Sequence, residues 1–167
     1  MKGKVLGLMG VVMAMAILAG CVGPVQSGSG MSTTVINASP EKVWNYLCNL
    51  DWTQISPMIK EETNKQGNVC TIGSSEDQVQ SALGKSVKLH LVVTDIIVNQ
   101  RLELKYDGDA FGTTTYTLLP EGKGTRLTVI MQINGKLPPG VTYDALKGEI
   151  QKQNDQTMAK IKANIEK

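Results

Sequence analysis

The sequence predicts an α+β domain: an antiparallel sheet of about six to seven strands packed against one long carboxy-terminal helix. Three observations carry this. Between residues 58 and 133, apolar and polar residues alternate in short runs with the two-residue period of half-buried strands. Turns rich in Gly and Asp separate these runs, as in Pro120-Glu121-Gly122-Lys123-Gly124. From about Thr142 onward, Leu146, Ile150, Ile161 and Ile165 form an apolar stripe at helical spacing. Helices segregated to one face of an antiparallel sheet define the class, and 167 residues suit one such domain.

The chain opens on a segment that does not belong to this domain. Lys2 and Lys4 precede an apolar stretch from Val5 to Leu18, followed by Ala19 and Gly20. A short positive region, an apolar region and small residues are the layout of a secretory signal peptide. At ~1.5 Å per residue, Val5–Gly20 spans about 24 Å as a helix, short of the ~30 Å hydrocarbon core. Leu18-Ala19-Gly20-Cys21 resembles the bacterial lipobox at all four positions. The resemblance implies cleavage before Cys21, lipidation of its thiol and acylation of the new amino terminus. Residues 1–20 are then the signal. Residues 21–30, with Gly, Ser and Gln and no periodicity, read as a flexible tether behind lipidated Cys21, and 31–167 as the domain. Several acyl chains anchor a protein stably where one does not. The expected location is the bacterial cell envelope, lipid-anchored and facing outside the cytoplasm.

Within the domain, Ser32–Asn37 is a Thr/Val/Ile strand candidate. Ser39-Pro40-Glu41 starts a helix: a serine to cap it, a proline for its first turn and an acid for its dipole. Val43, Trp44 and Leu47 mark that helix's apolar face, and Asn49–Pro57 holds a second short helix or turn. Met58–Gln66 and Val69–Ser74 read as weak strands, Ser86–Asp95 as the best one. Further runs follow around Leu102–Tyr106, Thr113–Leu119 and Leu127–Ile133, until Leu137-Pro138-Pro139-Gly140 breaks the sheet. Gly148, in mid-helix, marks either a close approach to the sheet or a tolerated surface glycine.

Charge and cysteines exclude several functions. The net charge of +2 comes from 17 basic and 15 acidic residues. Lys2 and Lys4 account for the excess, which leaves a balanced mature chain without the concentrated basic footprint of a nucleic-acid binder. With Cys21 lipidated, Cys48 and Cys70 remain as either a disulfide, suited to an exported protein, or two buried thiols. A single histidine and no Cys-x-x-Cys leave no basis for a metal site, and nothing in the pattern calls for a cofactor or sets an oligomeric state. Strand parity places His90 opposite Leu89 and Leu91, on the outer face, so no Ser-His-Asp set assembles around it. Glu61-Glu62 and Glu76-Asp77 read as solvated hairpin charges.

The element order, headed by Ile36-Asn37-Ala38-Ser39-Pro40-Glu41-Lys42-Val43-Trp44, resembles the START/Bet v 1-like superfamily and, within it, the polyketide cyclase/dehydrase type. Asp51-Trp52 to Pro57 is similar to that family's second helix, and Gly124-Thr125-Arg126-Leu127-Thr128 to the start of a late strand. The similarity covers residues 32–166. It implies the helix-grip fold, a curved sheet wrapped around the long helix with a cavity between, commonly holding lipids, sterols, polyketides or other apolar molecules. The chain departs from the pattern at Glu76–Ser81, more polar than the usual strand, and in having only seven aromatic residues. Both features argue against a sterol-sized pocket.

The residues expected to face the cavity are Leu89, Leu91, Leu104, Tyr106, Leu127, Val129, Met131 and Ile150; the bland alternative is that they simply pack as a core. On the long helix Gln153, Asn154, Thr157 and Met158 follow Ile150 on the inner side. Buried unpaired polar groups are costly. Either Asn154 and Thr157 meet water in a partly wet cavity, or they bond a ligand, or the helix is turned so that Met158 alone faces in. The function expected is a membrane-tethered carrier or sensor of an apolar or amphipathic small molecule. The alternatives are a cyclase- or hydrolase-like enzyme using the same cavity, and an envelope interaction module without ligand.

Overall fold

The computed structural model describes residues 26–135 and 142–167. The signal segment, Cys21 and the Leu137–Gly140 break lie outside the described residues. The chain runs β1 (Gln26–Ile36), α1 (Pro40–Cys48), α2 (Trp52–Ile55), β2 (Ile59–Gln66), β3 (Ser75–Ala82), β4 (Lys85–Ile97), β5 (Arg101–Gly108), β6 (Phe111–Glu121), β7 (Gly124–Gly135) and α3 (Tyr143–Ile165). The strands form one seven-stranded antiparallel sheet in the order β1-β7-β6-β5-β4-β3-β2. A bulge in β4 between Val93 and Asp95, and two irregularities along β2, help to bend it. This is the helix-grip fold.

The caps form as the sequence requires. Ser39 Oγ accepts from Lys42 N at 3.3 Å, with Pro40 opening α1. Thr142 Oγ1 accepts from Ala145 N at 3.2 Å at the head of α3. Ile36, Val43, Leu47, Leu102, Leu118, Leu127, Ile150 and Ile161 are fully buried.

Three expectations are corrected. β1 begins at Gln26, so residues 26–30, assigned to the tether, are strand. Gly30 reflects packing: a Cβ there would lie 2.8 Å from Ile150 Cγ2, and only glycine lets α3 approach this closely. Val69–Ser74 is a loop, turned by Thr71 N→Asn68 O (2.9 Å), by Gly73 at φ +84°, and by a disulfide from Cys70 to Cys48 at the end of α1. β3, absent from the strands expected, covers Glu76–Ser81, the segment more polar than the usual strand of the family. Gly148 is exposed with nothing within 4 Å of its would-be Cβ; it is a surface glycine.

The two sheet edges are protected differently. α3 lies along β1 and occupies its free backbone groups: Met31 N donates to Gln151 Oε1 (3.2 Å) and Lys162 Nζ to Val35 O (2.7 Å), while Ser32 Oγ donates to Asp155 Oδ1 (2.5 Å). The opposite edge, β2, exposes Lys60, Glu61 and Lys65, and charge discourages edge pairing.

Candidate functional site: an amphipathic cavity

Between the concave face of the sheet and α3 lies a cavity of about 420 Å³. Leu89, Leu91, Leu104, Tyr106, Met131, Asn154 and Thr157 line it. Leu127, Val129 and Ile150 do not. They point inward, as parity requires, but pack in the solid part of the core, Ile150 against Gly30. Position along the strand decides the difference. On β7, Leu127 and Val129 are buried whereas Met131, Ile133 and Gly135 are half-buried. On β4, Leu91 and Leu89 are buried, Val87 half-buried, and Lys85 and Ser86 exposed. The cavity therefore opens toward the end of the sheet that carries the β3–β4 turn and the β5–β6 turn. At its rim Leu83 adopts φ +50° in a tight turn with Gly84 at φ +72°, the left-handed pair that suits a two-residue hairpin.

The closed end is aromatic. Trp52, carried by α2, meets Tyr116 at a ring-centroid distance of 5.4 Å, and both line the cavity. Nearer the mouth, beside the β5–β6 turn, Tyr106 donates its hydroxyl to Gln132 O at 2.5 Å. Burial raises the hydroxyl pKa of both tyrosines well above the ordinary value, so they remain neutral donors.

One wall is polar. Alternation along β3 turns Glu76, Gln78 and Gln80 toward the cavity. Gln80 Nε2 donates to Gln78 Oε1 (2.7 Å), and Gln78 Nε2 donates to Glu76 Oε1 (2.6 Å) and, at 3.5 Å, to Glu62 Oε1. Burial, reinforced by the nearby Glu62 carboxylate, raises the pKa of the Glu76 carboxyl. On α3, Asn154 and Thr157 are both buried, and Asn154 Nδ2 has no hydrogen-bond partner. Met158 is buried in the core instead of facing the cavity alone. The reading of Glu76 as a solvated hairpin charge is thus corrected: a strand slipped by a few residues hides which carboxylate points inward.

His90 is exposed, its Nδ1 2.7 Å from Asp77 Oδ1 on the outer side, and has no place in the cavity. Among the described residues no group of three or more His, Cys, Asp or Glu side chains could hold a metal ion. Sequence reasoning missed Trp52, Tyr116, Met58 and the β3 row. Polarity on an inward-facing strand was the available signal for the last.

Solved structures share this architecture. A protein of Thermus thermophilus superposes with a TM-score of 0.71 at 18% identity, over 82% of this chain and 96% of that one. A START superfamily protein of Mycobacterium smegmatis gives 0.66 at 18% identity, over 83% and 97%. The di-domain ARO/CYC protein StfQ of the steffimycin biosynthetic pathway gives 0.64 at 14% identity, over 82% of this chain and 50% of that one. No curated protein matches the chain. Residues 30–166 match the profile of one family, described as polyketide cyclase/dehydrase and lipid transport. That match spans most of the chain and establishes that the chain belongs to the polyketide cyclase/dehydrase and lipid transport family.

Proposed function

We propose that this protein is a lipid-anchored envelope lipoprotein whose cavity carries an apolar or amphipathic small molecule. The observation that carries this reading is the cavity itself. Its volume of about 420 Å³ falls within the ~300–1,000 Å³ usual for small-molecule sites. Its lining is mainly apolar with a few placed polar groups, as such sites usually are.

The envelope part of the reading rests on the lipobox-like Leu18-Ala19-Gly20-Cys21 and is consistent with the Cys48–Cys70 disulfide, a bond of oxidising compartments. Chain geometry links anchor and cavity. Gln26, where β1 starts, pairs with Gly135, which lines the cavity at its open end. Four residues separate Cys21 from Gln26, so the two lie at most about 18 Å apart even if fully extended, at ~3.3–3.6 Å per residue. An anchor at Cys21 thus holds the mouth next to the bilayer, where a carrier would load and unload.

The test uses the full chain expressed in a bacterium, with Lys85→Cys at the mouth or Lys123→Cys at the opposite end. Cys48 and Cys70 are bridged and Cys21 is acylated on this reading, so a thiol-reactive fluorophore labels the new cysteine alone. The intact mass is expected to carry lipid on Cys21. Brominated lipids are expected to quench the label at 85 and spare that at 123. A mass without lipid contradicts the anchor; equal quenching at both ends contradicts the orientation.

A further inference from the structure

The cavity's polar wall specifies more than an apolar ligand. Glu76, Gln78 and Gln80 follow one another at every second residue of β3, a row of about 13 Å at ~3.3 Å per residue. Gln78 and Gln80 are buried. Each glutamine amide offers two N–H donors and an oxygen with two lone pairs. Gln80 Nε2 donates to Gln78 and Gln78 Nε2 donates to Glu76 and Glu62, which leaves Gln80 Oε1 with no donor among the described residues. From the facing helix, Asn154 adds a buried side chain to the lining, but its unpartnered Nδ2 lies beside Gly30 of β1, 3.5 Å from that residue's would-be Cβ, and is not open to the hollow. A buried polar group without a partner is costly, and one that lines a cavity is a position for a ligand atom.

The charges around the row decide what kind of ligand. The only basic side chain lining the cavity among the described residues is Lys85, exposed at the rim. Inside, the row ends on Glu76, with Glu62 hydrogen-bonded to the same Gln78 and paired outward with Lys65 at 2.7 Å. A buried carboxylate or phosphate on the ligand would meet carboxyl groups and no cation. A plain acyl chain would strip water from the amides and return no hydrogen bonds.

We infer that the row Glu76–Gln78–Gln80 is the recognition edge of the cavity, and that its ligand is an uncharged, elongated apolar molecule bearing hydroxyl or carbonyl oxygens along one edge. The rest of such a molecule lies against Leu89, Leu104 and Met131. This rests on the cavity-binding reading above.

The experiment compares two probes on the domain from Gln26 onward, monitored by the fluorescence of Trp52, which lines the cavity. One probe is 1,8-dihydroxyanthraquinone, uncharged with three oxygens on one edge; the other is palmitate, a charged head on a bare chain. The native domain is expected to bind the first at least tenfold more tightly. The double variant Gln78→Leu, Gln80→Leu is expected to weaken that binding at least tenfold while binding palmitate as well as or better than before, which also shows that the variant is folded with its cavity intact. A native preference for palmitate, or an unchanged preference in the double variant, overturns the inference and leaves the cavity reading standing. Binding of neither probe by native or variant protein overturns the cavity reading and the inference with it.

Discussion

Asn154 carries a stability cost on the inner face of α3. Its side chain is buried on the inner face of α3 with Nδ2 unpaired. Replacing such a group by an apolar one of similar size removes a desolvation penalty of about 1–3 kcal/mol. Asn154→Leu is therefore expected to raise the urea midpoint of the ligand-free domain. A lowered midpoint would show that the amide is satisfied. Glu76 gives a second residue-scale prediction. Burial and Glu62 raise its native pKa above the ordinary value of 4.5. Native Glu76 thus holds its proton more tightly than the unfolded chain does. The native state binds more protons between about pH 4.5 and that raised value, and stability falls as pH rises through this window. Asp51 and Asp77 act oppositely and lower down: hydrogen bonds hold their pKa values below 3.8, so the stability they add is lost as pH falls through that region. Urea midpoints measured upward from pH 4.5 are expected to decline in the native domain, with the Glu76 contribution to that slope absent in Glu76→Gln. An identical slope in both proteins would place the titration elsewhere.

At the scale of elements, two glycines that look alike in sequence behave differently. Gly30 sits where α3 presses on β1, and a Cβ there would meet fully buried Ile150. Gly148 faces open space in mid-helix. Gly30→Ala is expected to destabilise by about 1–3 kcal/mol through overpacking, and Gly148→Ala to stabilise by up to ~1 kcal/mol through helix propensity. Thermal melts of the two variants moving the same way would contradict this packing. The contrast also shows what sequence could carry. The long helix, both short helices and the five strands from β1 and β4 to β7 were legible, because period and caps are local. β2 was legible only as a weak strand. The start of β1 was not: Ser-Gly-Ser-Gly has the composition of a linker, and only the helix packed on it explains the glycine. β3 was missed because its inward face is polar, which alternation rules treat as outward. Val69–Ser74 was mistaken for a strand because its fixed shape comes from Gly73 and a distant cysteine.

On the whole molecule, parity told which residues face inward but not where the interior is hollow. Leu89, Leu104 and Leu127 all sit at inward positions; the first two line the cavity, and the third fills the core near α1. The difference is distance along the sheet from the open end, which depends on how α1, α2 and α3 close the other end. The same axis orders the rest of the molecule. The aromatic pair Trp52–Tyr116 lies at the closed end, the polar row runs along one side, and the chain enters β1 beside the mouth. The central claim is that this hollow is a ligand site. Native mass spectrometry of the domain purified without detergent tests it most directly, alongside Leu104→Trp, which fills the cavity from its floor. The expected result is a stoichiometric, uncharged apolar adduct on the native domain that is lost from the folded Leu104→Trp variant. A bare native domain that binds no apolar probe, or an adduct that persists unchanged in Leu104→Trp, would contradict it.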